Sequence, residues 1–330
     1  IHIRGSHLRL AREAVPRGAM QVTENLVPPI QVEEGSSGRL EFARWMTDED
    51  HPLTSRVAVN RIWQELFGEA LVATPSNFGF SGERPSHPEL LDRLAHDFVA
   101  NGWSTKQMIR RILSTSTWRQ QVIEDHTAAE LDPENRLLWR QNRHRLRAEA
   151  VRDSVLAVSR ALDREMGGTL LMTGNRGYVT NDQSNNQARY DLPRRSIYLP
   201  VIRNAMYELF SAFDYNDPSA PISKRYSTVV PHQALFFLNS PMVLDAALAI
   251  TRQVLEMELS EQSRVQEFYR RILCREATDE EVDRSLEFVN RAREYFVASP
   301  EADRPGDAVE SSWHAFSQAL LASSEFLYLD

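Results

Sequence analysis

The densest group of residues that could do chemistry is His87-Pro88-Glu89, followed by Asp92 and His96. On a helix Asp92 and His96 are i,i+4 and share a face, with His87 one turn earlier. Two imidazoles and a carboxylate in that arrangement are donors that a first-row metal accepts. His87, Glu89 and Asp92 could equally act as acid and base at a reacting centre. A plainer reading is preferred. Ser86-x-x-Glu89 forms a capping box with Pro88 in the first turn, and Asp92 with His96 is a solvated pair. We expect no metal site.

Three further groups carry recognition chemistry. Asn60, Arg61 and Trp63, with Asn77-Phe78-Gly79, bring amides, a cation and aromatic rings close in sequence. Amides pair with sugar hydroxyls, and a flat ring stacks on a pyranose face. The preferred reading is that Trp63 belongs to the core and Asn60 bonds a buried loop carbonyl. The stretch NRLLWRQNRHRLRAEAVRDS is rich in Arg. Arg145 and Glu149 are i,i+4, Glu149 and Arg152 are i,i+3, and Asp153 adds a carboxylate. Arg forks suit a sulfate or uronate, yet the carboxylates answer the charge, and an internal ion-pair network is preferred. Arg194-Arg195, Arg203-Asn204 and Lys224-Arg225 could line a groove for an acidic ligand or pair with Asp191, Glu208, Asp214 and Asp217. The candidates are therefore His87, Glu89, Asp92 and Glu149 for catalysis, and Asp92 and His96 for metal. For ligand binding they are Asn60, Arg61, Asn77, Arg145, Arg152, Arg195, Arg203 and Asn204. The sequence holds no Gly-x-Ser-x-Gly elbow, phosphate loop, Gly-x-Gly-x-x-Gly turn or His-Glu-x-x-His helix.

These residues sit in a chain of 330 with 42% apolar residues, enough for one large core or two modest ones. A net charge of −8 argues against general nucleic-acid binding. Lys106 and Lys224 are the only lysines, so the cationic chemistry is that of Arg. Cys274 is the single cysteine, which rules out an intrachain disulfide, a Cys-based zinc site and a Cys-x-x-Cys-His haem attachment. It falls in a helical pattern, where a free Cys is expected to be buried. No apolar run approaches the roughly 18 residues that span a bilayer. The opening IHIRGSHLRL lacks the initiator Met and apolar core of a signal peptide and reads as part of a longer polypeptide.

The elements that must position these residues are helical from Gly38 onward. RLEFARWM forms a short amphipathic helix. Val57, Val59, Ile62, Trp63, Leu66 and Phe67 make an apolar stripe closed by Gly68. Residues 69–86 form a loop, and a helix opens at Pro88 and ends at Asn101-Gly102. Ser104-x-x-Gln107 caps the next helix. Asp132-Pro133-Glu134 is read as a helix start, and a further helix spans about Leu146 to Met166, stopped by Gly167-Gly168. Residues 169–192 read as a long polar loop. Arg195 to Val201 is the convincing strand-like stretch, at an edge because of Pro200. Helices resume at PHQALFFLN, then after Ser240-Pro241, then near 261–274, 278–298 and 308–326, with Thr278-x-x-Glu281 as another capping box.

RVAVNRIWQELFG, TPSNFGFSGERPSHPELLDRLA, GWSTKQMIRRIL, DPENRLLWRQNRHRLRAEAVRDSVLAVS, RRSIYLP and PHQALFFLN occur in this order. That series resembles the planctomycete-type domain of unknown function 1553, also called the PSD-type domain, from about Gly38 to the C-terminus. The resemblance implies a C-terminal position in a large exported protein, with a c-type cytochrome module often upstream and carbohydrate-binding modules in some members. No activity is established for the family, so no catalytic residues carry over. The sequence departs from the family pattern at Asn77, Arg93 and Trp118, where Asp, Trp and Tyr are expected. If the family's acidic position has a chemical role, Asn77 puts that role in doubt here.

The reading is a mainly α, multi-helix globular domain with a short β element and a long polar loop. Residues 1–37 are the tail of an upstream region and linker, and 38–330 the helical domain, with 38–168 and 193–330 as candidate sub-units joined by the loop 169–192. The leading functional expectation is a non-catalytic binding or assembly module of an extracytoplasmic, c-type-cytochrome-linked multidomain protein, with a link to polysaccharide. The alternatives are an enzyme acting on acidic or sulfated polysaccharide and a purely structural C-terminal scaffold. No cofactor is expected within these 330 residues, haem c belonging to upstream parts of the parent. The expected partners are those upstream domains, a cytochrome module among them, and polysaccharide, with no nucleic acid and no membrane span. The extracytoplasmic location is implied by the resemblance alone.

Overall fold

The structure is a computed structural model and describes residues 8–10, 18–23, 25–123, 125–170, 190–202, 206–298, 300 and 305–329. Among the described residues it is mainly α-helical, with thirteen α-helices and one two-stranded sheet. In order these are α1 (Arg39–Met46), α2 (Thr54–Phe67), α3 (Pro88–Ala100), α4 (Thr105–Leu113), α5 (His126–Leu131), β1 (His144–Arg145), α6 (Ala148–Val158), α7 (Glu208–Ala212), α8 (Pro231–Asn239), α9 (Pro241–Leu255), α10 (Glu261–Leu273), α11 (Asp279–Ala298), α12 (Ala308–Leu321), α13 (Ser324–Leu327) and β2 (Tyr328–Leu329). The chain divides into two compact units, Ile1–Asn142 and Arg143–Asp330.

In the first unit α2 is the central helix. Val59, Trp63 and Phe67 recur every four residues and are buried against Leu91, Leu94 and Phe98 of α3 and Met108 and Ile112 of α4. Each such side chain contributes about 1.5–3 kcal/mol on burial. Trp63 stacks on Phe67 at 4.2 Å, and Phe67 meets the edge of Trp118 at 5.4 Å. Gly68 ends α2 with φ 78°, a backbone that a side chain would strain. Ser104 caps α4 by accepting from the Gln107 N–H at 3.4 Å, as its spacing predicts.

The second unit packs α9, α11 and α12 together with α6, α8 and α10 around a larger core. Trp313 on α12 is fully buried and stacks on Phe268 of α10 at 5.5 Å. β1 and β2 pair antiparallel, His144 with Leu329 and Arg145 with Tyr328, which ties the start of this unit to its end. The capping box at the start of α11 is present. Thr278 N–H donates to Glu281 at 2.8 Å, and the Thr278 hydroxyl accepts from the Glu281 N–H at 3.3 Å. Arg275 adds a fork to the same carboxylate at 2.7 and 2.8 Å and a second to Glu325. The Arg275 bonds hold the Glu281 carboxyl down at about 2.

Several local expectations are corrected. Arg195–Val201 is not a strand: Ser196–Tyr198 is a 3-10 turn, and the β element lies instead at β1 and β2. The helix expected to reach Met166 ends at Val158, because Arg160 adopts the left-handed conformation (φ 62°) and Ala161 N–H bonds back to the Leu156 carbonyl. Asp132-Pro133-Glu134 opens no helix. The Asp132 carboxylate takes the N–H groups of Arg136 (3.0 Å) and Leu137 (2.7 Å), which offers the backbone a turn instead. Ser86 is not the cap of α3. His87 holds that position without a side-chain cap bond, while Ser86 donates to the Leu71 carbonyl. Cys274 is exposed rather than buried and ends α10 in the left-handed conformation. Most of the predicted loop 169–192 lies outside the described residues, and its described ends, 169–170 and 190–192, are neither helix nor strand.

Candidate functional site

Two clefts among the described residues of the first unit bear on the predicted residues. The larger, about 510 Å³, is lined by Asp92 and His96 of α3, as the sequence suggested, and also by His51, Arg56, Asp50 and Ser55. Asp92 is not free for a metal: it takes the Arg56 guanidinium at 2.7 Å, and Arg56 also donates to the Pro52 carbonyl. His96 pairs instead with Asp97 at 3.5 Å, where Arg93 (3.0 Å) and Arg111 (2.6 Å) converge as well. Burial pushes the Asp97 carboxyl up, but Arg93, Arg111 and His96 outweigh it and hold it below the ordinary range. Among the described residues no group of three or more His, Cys, Asp or Glu is placed to hold a metal ion.

His51 is the residue that sequence reading missed. It is 4% exposed, and its Nδ1 accepts from Leu53 N–H (3.3 Å), Thr54 N–H (3.2 Å) and the Thr54 hydroxyl (3.0 Å). Nδ1 is thus an acceptor and the ring proton sits on Nε2. Burial lowers the His51 pKa, against a smaller opposing effect of Asp48. The ring supplies the first turn of α2 with the acceptor that Ser, Asp or Asn gives most helices. The only local signal was a His three residues before a helix start.

The second cleft, about 410 Å³, is lined by Trp63, Leu71 and Leu138 together with Glu69, Ser86, Glu134, Asn135 and Arg136. It draws on α2, the loop after it and the turn at 132–142. Trp63 is a core residue here, as preferred over a sugar platform. Asn60 does not reach this cleft. Fully buried, it clasps Val72, donating to its carbonyl (3.1 Å) and accepting from its N–H (2.8 Å). Arg61 is exposed on α2. The Asn77 side chain accepts from the Gly79 N–H at 3.0 Å and donates to the Ser81 hydroxyl at 3.2 Å, shaping the loop that carries the fully exposed Phe80. A Cβ at Gly82 would collide with the Asn77 carbonyl, so that turn requires glycine. His87 Nδ1 meets the Ser86 hydroxyl at 3.0 Å, and Glu89 is exposed in the first turn of α3.

In the second unit the Arg-rich stretch is engaged internally. Arg152 is 1% exposed and donates to the carbonyls of Arg194 (2.7 Å), Tyr190 (3.3 Å) and Leu192 and to the Ser196 hydroxyl (3.4 Å). Asp153 lies 3.6 Å from it and accepts from Ser196 N–H and Oγ–H at 2.8 and 2.7 Å. Glu149 takes Arg225 through both oxygens, at 2.8 and 2.7 Å, and the Arg225 guanidinium lies 4.9 Å over the Tyr215 ring. Arg145 donates to the Thr228 carbonyl, faces Asp214 at 3.5 Å and lies 5.4 Å over Phe213. Arg195 donates to the Tyr198 hydroxyl at 3.4 Å. Glu149 and Arg152, three residues apart, serve different partners. Arg203 and Asn204 lie outside the described residues.

Among the described residues no single helix is long and apolar enough to cross a membrane. The α8–α9 pair reaches that length only across a 53° bend, and the apolar face of α9 lies in the core. Among curated proteins and among solved structures, nothing matches this sequence. The family model described as a protein of unknown function (DUF1553), PSD1, matches residues 38–289, and the chain belongs to that family.

Proposed function

We propose that this protein is a non-catalytic binding or assembly module of an extracytoplasmic, c-type-cytochrome-linked multidomain protein with a role in polysaccharide handling. One observation carries the reading. The charged groups of the Arg-rich stretch nominated for turnover or anion capture are committed to internal partners: Glu149 to Arg225, Arg152 to three carbonyls and Arg145 to Thr228 and Asp214. A guanidinium buried and bonded in this way fixes a segment of backbone. The cytochrome link, the location and the polysaccharide role rest on the family pattern.

A thermal-shift series tests it, with the protein against the upstream domains of its parent polypeptide and against neutral, sulfated and uronic polysaccharides. A ligand of the folded state raises the midpoint as its concentration rises. The reading expects a saturable shift with no release of new reducing ends. Release of reducing ends from an acidic polysaccharide, lost in a folded Glu149→Gln variant, would establish the enzyme alternative instead.

A further inference from the structure

The 410 Å³ cleft has a built rim. The turn at 132–142 is not helical, yet its backbone is held at many points. Asp132 takes two N–H groups. The buried Asn135 amide donates to the Arg140 carbonyl (2.8 Å) and to Asn142 Oδ1 (3.0 Å) and accepts from Arg140 N–H (3.3 Å). Two non-glycine residues of the turn, Asn135 (φ 52°) and Leu138 (φ 59°), stand in the left-handed region, a strain that persists only where the surroundings impose it and that gathers at ligand sites.

This rigid turn presents two opposite charges at the mouth of an apolar floor. Glu134 and Arg136 are exposed, flank Asn135, and have no side-chain hydrogen bond or ion pair among the described residues. The floor is Trp63, Leu71 and Leu138. A volume of 410 Å³ lies at the small end of ligand pockets. A neutral sugar would leave both charges unanswered, and an acidic glycan would meet the Glu134 carboxylate beside the Arg136 guanidinium. A molecule that carries an ammonium and a carboxylate side by side at one end of an apolar body answers Glu134, Arg136 and the apolar floor.

We propose that this cleft binds a small zwitterion with an apolar body, of which an apolar α-amino acid is the simplest member. Arg136 takes the carboxylate, Glu134 takes the ammonium group, and the ligand's apolar body lies on Trp63, Leu71 and Leu138. The assignment deepens the binding-module reading and rests on it.

Calorimetric titration of the whole protein with L-phenylalanine and L-leucine tests the assignment. The comparators are N-acetyl-L-phenylalanine, which lacks the ammonium group, and L-phenylalaninamide, which lacks the carboxylate. The expected result is saturable binding of the free amino acids and at least about tenfold weaker binding of each derivative, since each loses one charge-assisted contact. Arg136→Gln and Glu134→Gln, both exposed and without side-chain partners among the described residues, should each weaken the free amino acid by a similar factor and leave the melting temperature unchanged. Ala70→Phe, which fills the cleft, should abolish binding. Absence of saturable heat for both amino acids overturns the proposal. Equal binding of the N-acetyl derivative also overturns it and assigns the cleft to the terminal carboxylate of a peptide. If the amino acid is consumed, the site stands and the non-catalytic reading fails. If no amino acid binds while a polysaccharide or upstream domain does, the cleft assignment alone fails.

Discussion

Replacing Arg152 by methionine keeps an unbranched apolar stem and removes the donors of the guanidinium. The carbonyls of Arg194, Tyr190 and Leu192 then lose their partner inside the second unit. An acceptor left without a partner in the interior costs about 1–3 kcal/mol. Breaking a buried charged network costs about 3–5 kcal/mol in total, because the orphaned groups relax together. We expect about 3–5 kcal/mol for Arg152→Met, which in a unit of this size lowers the melting temperature by about 6–20 °C. Arg152→Lys keeps the charge but not the planar fork, and should recover only part of the loss. With two units, a single global midpoint is not the right readout. Hydrogen exchange followed by mass spectrometry places the loss: amides around 190–202 and α6 should lose protection, while α2 and α3 keep theirs. A near-wild-type Arg152→Met whose exchange pattern is unchanged, but which no longer binds an acidic glycan, would refute the structural role and return Arg152 to the ligand-binding candidates.

Asn60→Ala should cost about 2–4 kcal/mol, since it strands the Val72 N–H and carbonyl and leaves a small void; a loss below about 1 kcal/mol in urea unfolding would show that the clasp is dispensable. The His51 ring must stay neutral to accept the first N–H groups of α2, and its folded pKa lies below the ordinary value of 6.5. The unfolded polypeptide therefore binds the extra proton first. The contribution of His51 is fully present above about pH 6.5 and is lost as pH falls through the lowered folded value. His51→Asn, which keeps an acceptor without the titration, should flatten that slope in the first unit, and an unaltered slope measured by denaturant midpoints across about pH 5–7.5 would count against the cap. Cys274→Gly should stabilise the protein by about 1 kcal/mol by relieving the left-handed backbone at the end of α10, and native Cys274 should react readily with a thiol reagent; a destabilised variant or an inert thiol would contradict the geometry.

The helices were legible where two signals coincided. α2 carries a stripe spaced at Val59, Trp63 and Phe67 and a closing Gly68, and α11 carries Thr278 and Glu281 in reciprocal bonds. The failures share a cause. Asp132 and Arg195–Val201 matched a helix start and an alternating strand, but in each case hydrogen-bond partners chose the backbone. The Asp132 carboxylate turned back on nearby N–H groups, and Ser196 was drawn to Asp153. Strands of two residues, His144–Arg145 and Tyr328–Leu329, are too short to carry a period. The preference for internal pairing in the Arg-rich stretch followed from its interleaved carboxylates. The actual partners could not, because Arg225, Asp214 and the 190–196 carbonyls are distant in sequence. The small cleft was invisible for the same reason: Trp63, Leu71 and Arg136 meet only after folding. His51 escaped notice because a histidine seldom does the work of a helix cap.

The central claim is that the protein binds without turning over what it binds. The most direct measurement is calorimetric titration of the whole protein with sulfated and uronic polysaccharides and with the upstream domains of its parent. Heat that saturates, with each injection returning to the baseline, is the result expected for a binding or assembly module. A sustained displacement of the baseline, proportional to protein concentration and abolished by a folded Glu149→Gln variant, would contradict it.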